Sequence, residues 1–273
     1  MPQFRPPFNL GPNTELRMDL YLHAFQGLAL VLGLCLGSFY NVCIHRTLSG
    51  ETVTNPPRSK CPKCGHFLAW WENVPLVSYL LLRGRCRQCH LPISPRYPMV
   101  EALTGVVALA LALRFGPGPQ WAVHMAFTGL FIVTSFLAFD TRIMPTRSLL
   151  IGAAAALVVA PTLLGVPLRD SLFGVAVGAG LFWVLRLGSA RLRSGQWLGV
   201  GDMALVALAG ALLGVGLLPP VIALGAALAG LAALVGRRGA EESAKAPLPF
   251  GPFLCIAITA GILWGHRWLA LLG

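Results

Sequence analysis

The stretch QWAVHMAFTGLFIVTSFLAF at residues 120–139 decides the fold class. It carries no Asp, Glu, Lys or Arg, and it runs directly into Asp140. A helix needs about 20 predominantly apolar residues to cross a bilayer, and this stretch supplies them. Further apolar runs lie at roughly 20–45, 99–115, 148–165, 171–187, 202–218, 220–236 and 251–271. Across 273 residues the chain is 56% hydrophobic and 11% charged, with mean hydropathy +0.70. An ordinary soluble domain carries about 25% charged residues, so lipid must solvate much of this surface. A β-barrel would need short alternating segments instead of long continuous runs. The expectation is an all-α integral membrane protein with about eight transmembrane helices. Leu218, Pro219 and Pro220 are expected to make the turn between the sixth and seventh runs, because proline lacks the N–H a helix needs. Residues 1–19 are polar and the first apolar run is long, which reads as an anchor rather than a removable signal.

The charges test this count. The formal net charge is +11, and in a soluble protein that would suggest nucleic acid. With the N-terminus outside and the runs alternating, the inside loops collect Arg46, Arg58, Lys60, Lys63, Arg83, Arg85, Arg87 and Arg96. They also collect Arg142 and Arg147, then Arg186, Arg191 and Arg193, then Arg237, Arg238 and Lys245. Only Arg5, Arg17, Arg114, Arg169 and Arg267 fall outside. Lys and Arg gather in cytoplasmic loops of membrane proteins, so topology accounts for the charge and no nucleic-acid partner is expected. The division that follows is an N-terminal segment and first helix (1–45), a polar cytoplasmic loop domain (46–98) and a membrane core (99–273).

The loop domain holds Cys61-Pro-Lys-Cys64 and Cys86-Arg-Gln-Cys89. Two such knuckles can give four thiolates to one Zn²⁺ in a closed structural site with no position for a catalytic water. Disulfides are the other reading, and a reducing cytosol disfavours them. A domain of about 50 residues often needs such a staple. His66 and His90 flank the knuckles and read as neighbours rather than ligands. Cys35, Cys43 and Cys255 lie in apolar runs and read as small core residues.

Two acids stand out. Gly199-Val-Gly201-Asp202 places a carboxylate where the sixth span begins, and Asp140 places another where the third ends. Ionisable groups at a membrane are costly and usually functional. Each has a plainer reading: Asp202 as a helix N-cap, Asp140 as an ion-pair partner of Arg142 or Arg147. Asp170 falls on the opposite side and reads as a cap. If the helices of Asp140 and Asp202 pack together, the carboxylates share a proton, since close like charges do not both ionise cheaply. One then takes a proton from water while the other protonates a carbonyl oxygen. No histidine lies near a serine in a nucleophile-elbow pattern.

The ordered motifs resemble bacterial prepilin peptidases, the GxGD-type aspartic proteases that remove type IV leader peptides. Gly37-Ser-Phe-Tyr-Asn41-Val with Arg46 resembles that family's first helix. Asn73-Val-Pro75-Leu-Val-Ser-Tyr-Leu, then Arg83-Gly-Arg-Cys86, then Ile93-Ser-Pro-Arg96-Tyr97-Pro with Glu101 resembles its loop and second helix. The resemblance implies catalytic Asp140 and Asp202, an active-site loop with Gly199 and Gly201, and zinc on Cys61, Cys64, Cys86 and Cys89. It implies substrate or structural roles for Asn41, Arg46, Asn73, Pro75, Arg96, Tyr97 and Glu101. It implies prepilin or pseudopilin substrates cut at a Gly-Phe bond, membrane lipid around the chain, and residence in the bacterial inner membrane with the active site facing the cytoplasm. It also implies N-methylation of the new terminus with S-adenosylmethionine, for which no Gly-rich loop marks a site. The chain departs from the family's pattern at Thr146, Gln196 and Ala204, where relatives often carry Asp, Glu and Lys. Two other readings remain: an inactive pilin assembly factor, and a transporter using the two aspartates.

Overall fold

Where no water reaches a backbone, every peptide group must bond within its own segment, and helices do this. The computed structural model bears out the all-α expectation and describes residues 12–52, 54, 58–142, 144–191, 199–237 and 249–272. Among these no strand occurs, only two isolated bridges. Among the described residues seven helices are long and apolar enough to cross a membrane, and the chain is a multi-pass membrane protein. Its outward faces carry side chains that water would reject, among them Ile151, Phe173, Val184 and Leu234.

The chain divides into two compact units, Met1–Met125 and Ala126–Gly273. The first contains α1 (Pro12–Ser49), a short 3-10 turn (Trp70–Asn73), α2 (Val77–Leu81), α3 (Arg96–Phe115) and the start of α4 (Pro119–Thr141). α1 extends past both ends of the expected run, so the polar loop begins after Ser49 rather than at 46. α1 and α3 lie against each other through Gly33 and Gly37, four residues apart. A Cβ on Gly33 would come within 2.8 Å of the Thr104 carbonyl oxygen, and one on Gly37 within 2.7 Å of the Glu101 Cα. Between helices in lipid there is no hydrophobic drive, and small residues earn their place by letting backbones meet. Trp121 donates its indole N–H to the Ala108 carbonyl at 3.0 Å and stacks edge-on against Phe25.

The second unit holds the rest of α4, then α5 (Thr146–Val159) with a π turn (Ala160–Leu164), α6 (Leu168–Arg191), α7 (Val200–Leu213), α8 (Leu218–Arg237) and α9 (Phe250–Leu272). α7 has 14 residues, about 21 Å at 1.5 Å per residue, short of a hydrocarbon core of about 30 Å. It is covered by its own unit: Leu205, Val206, Leu208, Ala209 and Ala211 are fully buried, with α5, α6 and α9 packed around them. The turn after α7 differs from the expectation. The helix stops at Gly214, whose φ of +76° suits glycine, and a 3-10 turn Val215–Leu217 follows. Pro219 and Pro220 instead open α8, where a missing N–H costs nothing. The topology residues Arg5, Arg193, Arg238 and Lys245 lie outside the described residues, as does Gln196.

At the crossing of α6 and α7, a Cβ on Gly174 or Gly210 would collide with the other's backbone. Gly210→Ala is therefore expected to lower the apparent melting temperature in detergent by several degrees, as overpacking of roughly 1–3 kcal/mol does. Gly180→Ala, with no atom within 4 Å of the new Cβ, is expected to leave it unchanged or higher, since alanine is the better helix former.

Candidate functional site

In the first unit the two Cys-x-x-Cys segments fold as matching loops. In one, Cys61 N–H donates to the His66 carbonyl at 2.8 Å and Gly65 N–H to the Cys61 carbonyl at 2.9 Å. In the other, Cys86 N–H donates to Leu91 at 2.9 Å and His90 N–H to Cys86 at 3.0 Å. A bridge closes each loop, Lys60 with Phe67 and Arg85 with Pro92. The Sγ atoms of Cys61, Cys64, Cys86 and Cys89 all lie within 4.8 Å of one another, and this cluster could hold a metal ion. Backbone N–H groups of Cys89 and Gln88 stabilise the Cys86 thiolate and bring its pKa down to about 7. That favours the ligand form of the thiol.

The knuckles and the segments around them are tied down by residues to which the resemblance assigned roles and by others, Glu72, Trp71 and Leu76, to which it did not. Glu72 is buried; its Oε2 accepts the Ala69 N–H at 2.6 Å and lies 3.4 Å from His66 Nε2. Arg87 lies over the Trp71 ring, 5.1 Å from its centroid. Pro75 and Val77 close a γ-turn around Leu76, with Val77 N–H donating to the Pro75 carbonyl at 2.6 Å and Leu76 at φ +59°. This strained turn points the Leu76 N–H at Glu101, whose Oε2 accepts it at 2.8 Å. Asn41 Nδ2 donates to the Tyr97 carbonyl at 3.0 Å, and Arg46 Nη1 to the Thr52 carbonyl at 3.2 Å. Asn41, Arg46, Asn73, Arg96, Tyr97 and Glu101 line one cavity of about 430 Å³, and Pro75 lines a neighbouring hollow.

In the second unit Asp202 is the third residue of α7, not its N-cap. Its Oδ2 accepts the Gly199 N–H at 2.8 Å, which satisfies a donor the helix start leaves open. The residue is 8% exposed, so most of its carboxylate is held out of solvent. Gly201 is pressed against Met144: a Cβ there would overlap the Met144 Cβ and lie 3.2 Å from its Cα. Asp140 ends four residues before Met144, at the exposed end of α4. With Cα atoms 3.8 Å apart along the chain, its Cα lies within about 15 Å of the Met144 Cα. The first turn of α9 closes the arrangement. A Cβ on Gly251 would meet the Met144 thioether and stand 3.3 Å from Asp202 Oδ1, and Phe253 meets Phe139 with ring centroids 6.3 Å apart. Both acids thus occupy helix ends, joined through Met144 and α9. Met144, Gly251 and Phe253 carried no sequence signal.

Comparison with known proteins places these features. The family model for the bacterial peptidase A24 N-terminal domain matches residues 31–115, and that for the type IV leader peptidase family matches residues 125–235. A prepilin leader peptidase/N-methyltransferase of Pseudomonas putida is 34% identical over 268 residues, covering 89% of this chain and 92% of that one. The chain belongs to the type IV leader peptidase family. A relative of the same description from Aeromonas hydrophila is 34% identical, covering 89% of this chain and 93% of its own. One from Myxococcus xanthus is 42% identical over 67% of this chain, and the match spans 54% of that protein's length. No solved structure matches the chain.

Gly65 and His90 hold equivalent positions after the second cysteine of each knuckle, at φ +74° and +57°. A side chain in that region costs about 1–2 kcal/mol. His90→Gly should raise the melting temperature by a few degrees with bound metal unchanged, and Gly65→His should lower it. Loss of metal from His90→Gly would make that histidine a ligand. The two glycines of the GxGD segment also differ. A Cβ on Gly199 would meet only Asp202 Oδ2, at an ordinary 3.5 Å, and φ there is −82°. Gly199→Ala is expected to keep near-normal peptidase activity, whereas Gly201→Ala should lose at least tenfold, because Met144 or Asp202 must shift. A cleavage time course on both variants decides this.

Proposed function

We propose that the chain is the peptidase that removes the leaders of type IV prepilins or pseudopilins, cutting a Gly-Phe bond with Asp140 and Asp202, and that it also N-methylates the new terminus. The observation that carries the reading is Asp202. It is a buried carboxylate with one oxygen spent on the Gly199 N–H and the other next to Gly251, where an added Cβ would stand 3.3 Å from it. The Met144 turn leads from there back to Asp140. One carboxylate takes a proton from the attacking water and later gives it to the leaving amine, while the other protonates the scissile carbonyl and recovers that proton as the intermediate collapses. The titration belongs to the pair. The excess of Lys and Arg in the loops on the same side supports residence in the bacterial inner membrane, with both acids at the cytoplasmic face.

Cys61, Cys64, Cys86 and Cys89 hold a structural zinc in this reading. Tetrahedral Zn–S bonds of about 2.3 Å put sulfurs about 3.8 Å apart, and Cys64 Sγ lies 4.0 Å from Cys86 Sγ. Bound zinc links the two knuckles and stabilises the loop domain between α1 and α3. S-adenosylmethionine, when bound, supplies the methyl group for the new N-terminus.

Asp140→Asn and Asp202→Asn should each cut leader cleavage of a matched prepilin by at least ~10²–10⁴-fold while the protein remains folded in the membrane. Asn at 202 can still accept the Gly199 N–H through its carbonyl oxygen, so the helix start survives while the proton-transfer role is lost. Asp170→Asn, in the first turn of α6, should cleave normally. Near-normal processing by either variant would remove the aspartate mechanism.

A further inference from the structure

α3 has 20 residues, about 30 Å at 1.5 Å per residue, which matches the hydrocarbon core of a bilayer. The whole helix is therefore needed to cross. Glu101 stands about 7 Å inside its first residue, and its Oε2 accepts the Leu76 N–H at 2.8 Å. That bond carries the chain between the knuckles down to the same depth. α1 agrees: Pro75 lines a hollow with Cys35, Ser38, Phe39 and Val42, and from Ser38 the helix runs on to Ser49, about 16 Å further. α2 leaves Leu76 at this level. Val77, Leu80 and Leu81 lie on one helix face, since residues three and four apart are neighbours. All three are exposed, Leu80 at 72% and Leu81 at 71%. Trp70, in the 3-10 turn that contacts α2, is 81% exposed. The backbone suits the depth. Ser78 N–H donates to Val74, Leu80 N–H to Leu76, Leu82 N–H to Ser78 and Gly84 N–H to Tyr79, all within the segment, as surroundings poor in water require. The chain then turns at Arg83, whose φ is +52°, a conformation that ends many helices and that glycine usually supplies. Arg83 and Arg85 are both exposed. The loop's two acids are engaged elsewhere, Glu51 on Lys60 and Glu72 on the Ala69 N–H.

We propose that the Trp70 turn and α2 form an interfacial anchor that dips into the leaflet on the loop domain's side, with Trp70, Leu80 and Leu81 among the acyl chains and Arg83 and Arg85 on anionic lipid headgroups. The proposal goes beyond the peptidase reading and does not depend on it. Helices that lie in a membrane surface bury their apolar face about 5–10 Å into the boundary between headgroups and chains, and the Leu76–Glu101 bond sets α2 in that range. Tryptophan favours this level, and arginines beside it are drawn to anionic lipid. At this depth lipid is what an uncovered face meets. Five residues are too few to make a stable helix alone, so α2 is held from both sides, by the Glu101 bond before it and by the second knuckle after it. The loop domain is then seated on the membrane rather than hanging from α1 and α3 in water.

The test uses the full chain with its metal in nanodiscs of mixed zwitterionic and anionic phospholipid. The photo-reactive residue benzoylphenylalanine replaces Leu80 or, as a control, Lys63, an exposed residue of the first knuckle. On irradiation, position 80 should join mainly to lipid and position 63 scarcely at all, as read by mass spectrometry. Arg83→Gln and Arg85→Gln should each lower the preference for anionic lipid among the adducts by about fivefold, the worth of one arginine near a charged leaflet. Metal content reports that each variant is folded. A second measurement needs no photo-reactive residue: lipids brominated near the glycerol end of their chains should quench the part of the fluorescence that Trp70→Phe removes. If the position-80 variant does not fold, the quenching alone decides. Three results overturn the anchor: adducts from position 80 to another helix of this chain or to a second copy, adducts no richer in lipid than those from position 63, or Trp70 emission that brominated lipid leaves intact. An anionic preference that both arginine variants leave unchanged overturns the headgroup contact.

Discussion

Hydrocarbon offers a peptide group nothing to bond with, and it offers a carboxylate less still. Two consequences shape this molecule. The backbone satisfies itself in helices, and the acids that matter stand at helix ends. Asp202 opens α7 and Asp140 nearly closes α4. At such an end a carboxylate meets the unpaired N–H groups of a helix start, or water, instead of lipid. α7 carries this furthest. It is too short to span the hydrocarbon alone, and almost every residue after its first turn is buried by neighbouring helices. A carboxylate at the tip of a helix encased in protein is held by packing rather than by the lipid around it.

Packing without a hydrophobic drive depends on how closely backbones can approach. Three contacts set the positions that matter: Gly33 and Gly37 against α3, Gly174 against Gly210, and Gly201 against Met144. The first places Asn41 and Arg46, a few residues further along α1, beside the start of α3. The second fixes α7 on α6. The third links the turn after Asp140 to the residue before Asp202. In each, a single methyl group would force backbone apart, so the glycines act on the sites at one remove, by setting distances.

The apolar runs, the two Cys-x-x-Cys segments and the GxGD acid were legible because each is a local signal. Length and hydropathy report a span, and spacing reports a knuckle. The turn at Gly214 was not legible, because Pro219-Pro220 is a louder breaker in sequence, yet prolines at the start of a helix break nothing. Nor was the reach of α1 to Ser49, since its last turns are polar and only the fold shows them helical. Met144, Gly251, His66 and the γ-turn at Leu76 matter through contacts made across long sequence separations, and periodicity carries no trace of those. Asn41 was marked by resemblance alone. Its unfilled acceptor became visible only when the Tyr97 carbonyl was seen to hold the other end of the amide.

The same capping device occurs once in each unit, with different results. Glu72 accepts the N–H of Ala69, three residues before it, and Asp202 accepts that of Gly199 in the same register. Local geometry does not distinguish them. What distinguishes them is the neighbour. Beside Glu72 stands His66, 3.4 Å away, so the acid is spent on holding a knuckle to the 3-10 turn. Beside Asp202 stands Gly251, whose missing side chain leaves place for the Met144 thioether near Oδ1. A cap whose second oxygen is paired is structure. Glu72 is thus tied to an imidazole, whereas Asp202 has a glycine and a thioether beside its second oxygen, and it is this carboxylate, at the tip of a buried helix, that the proposed peptidase role draws on.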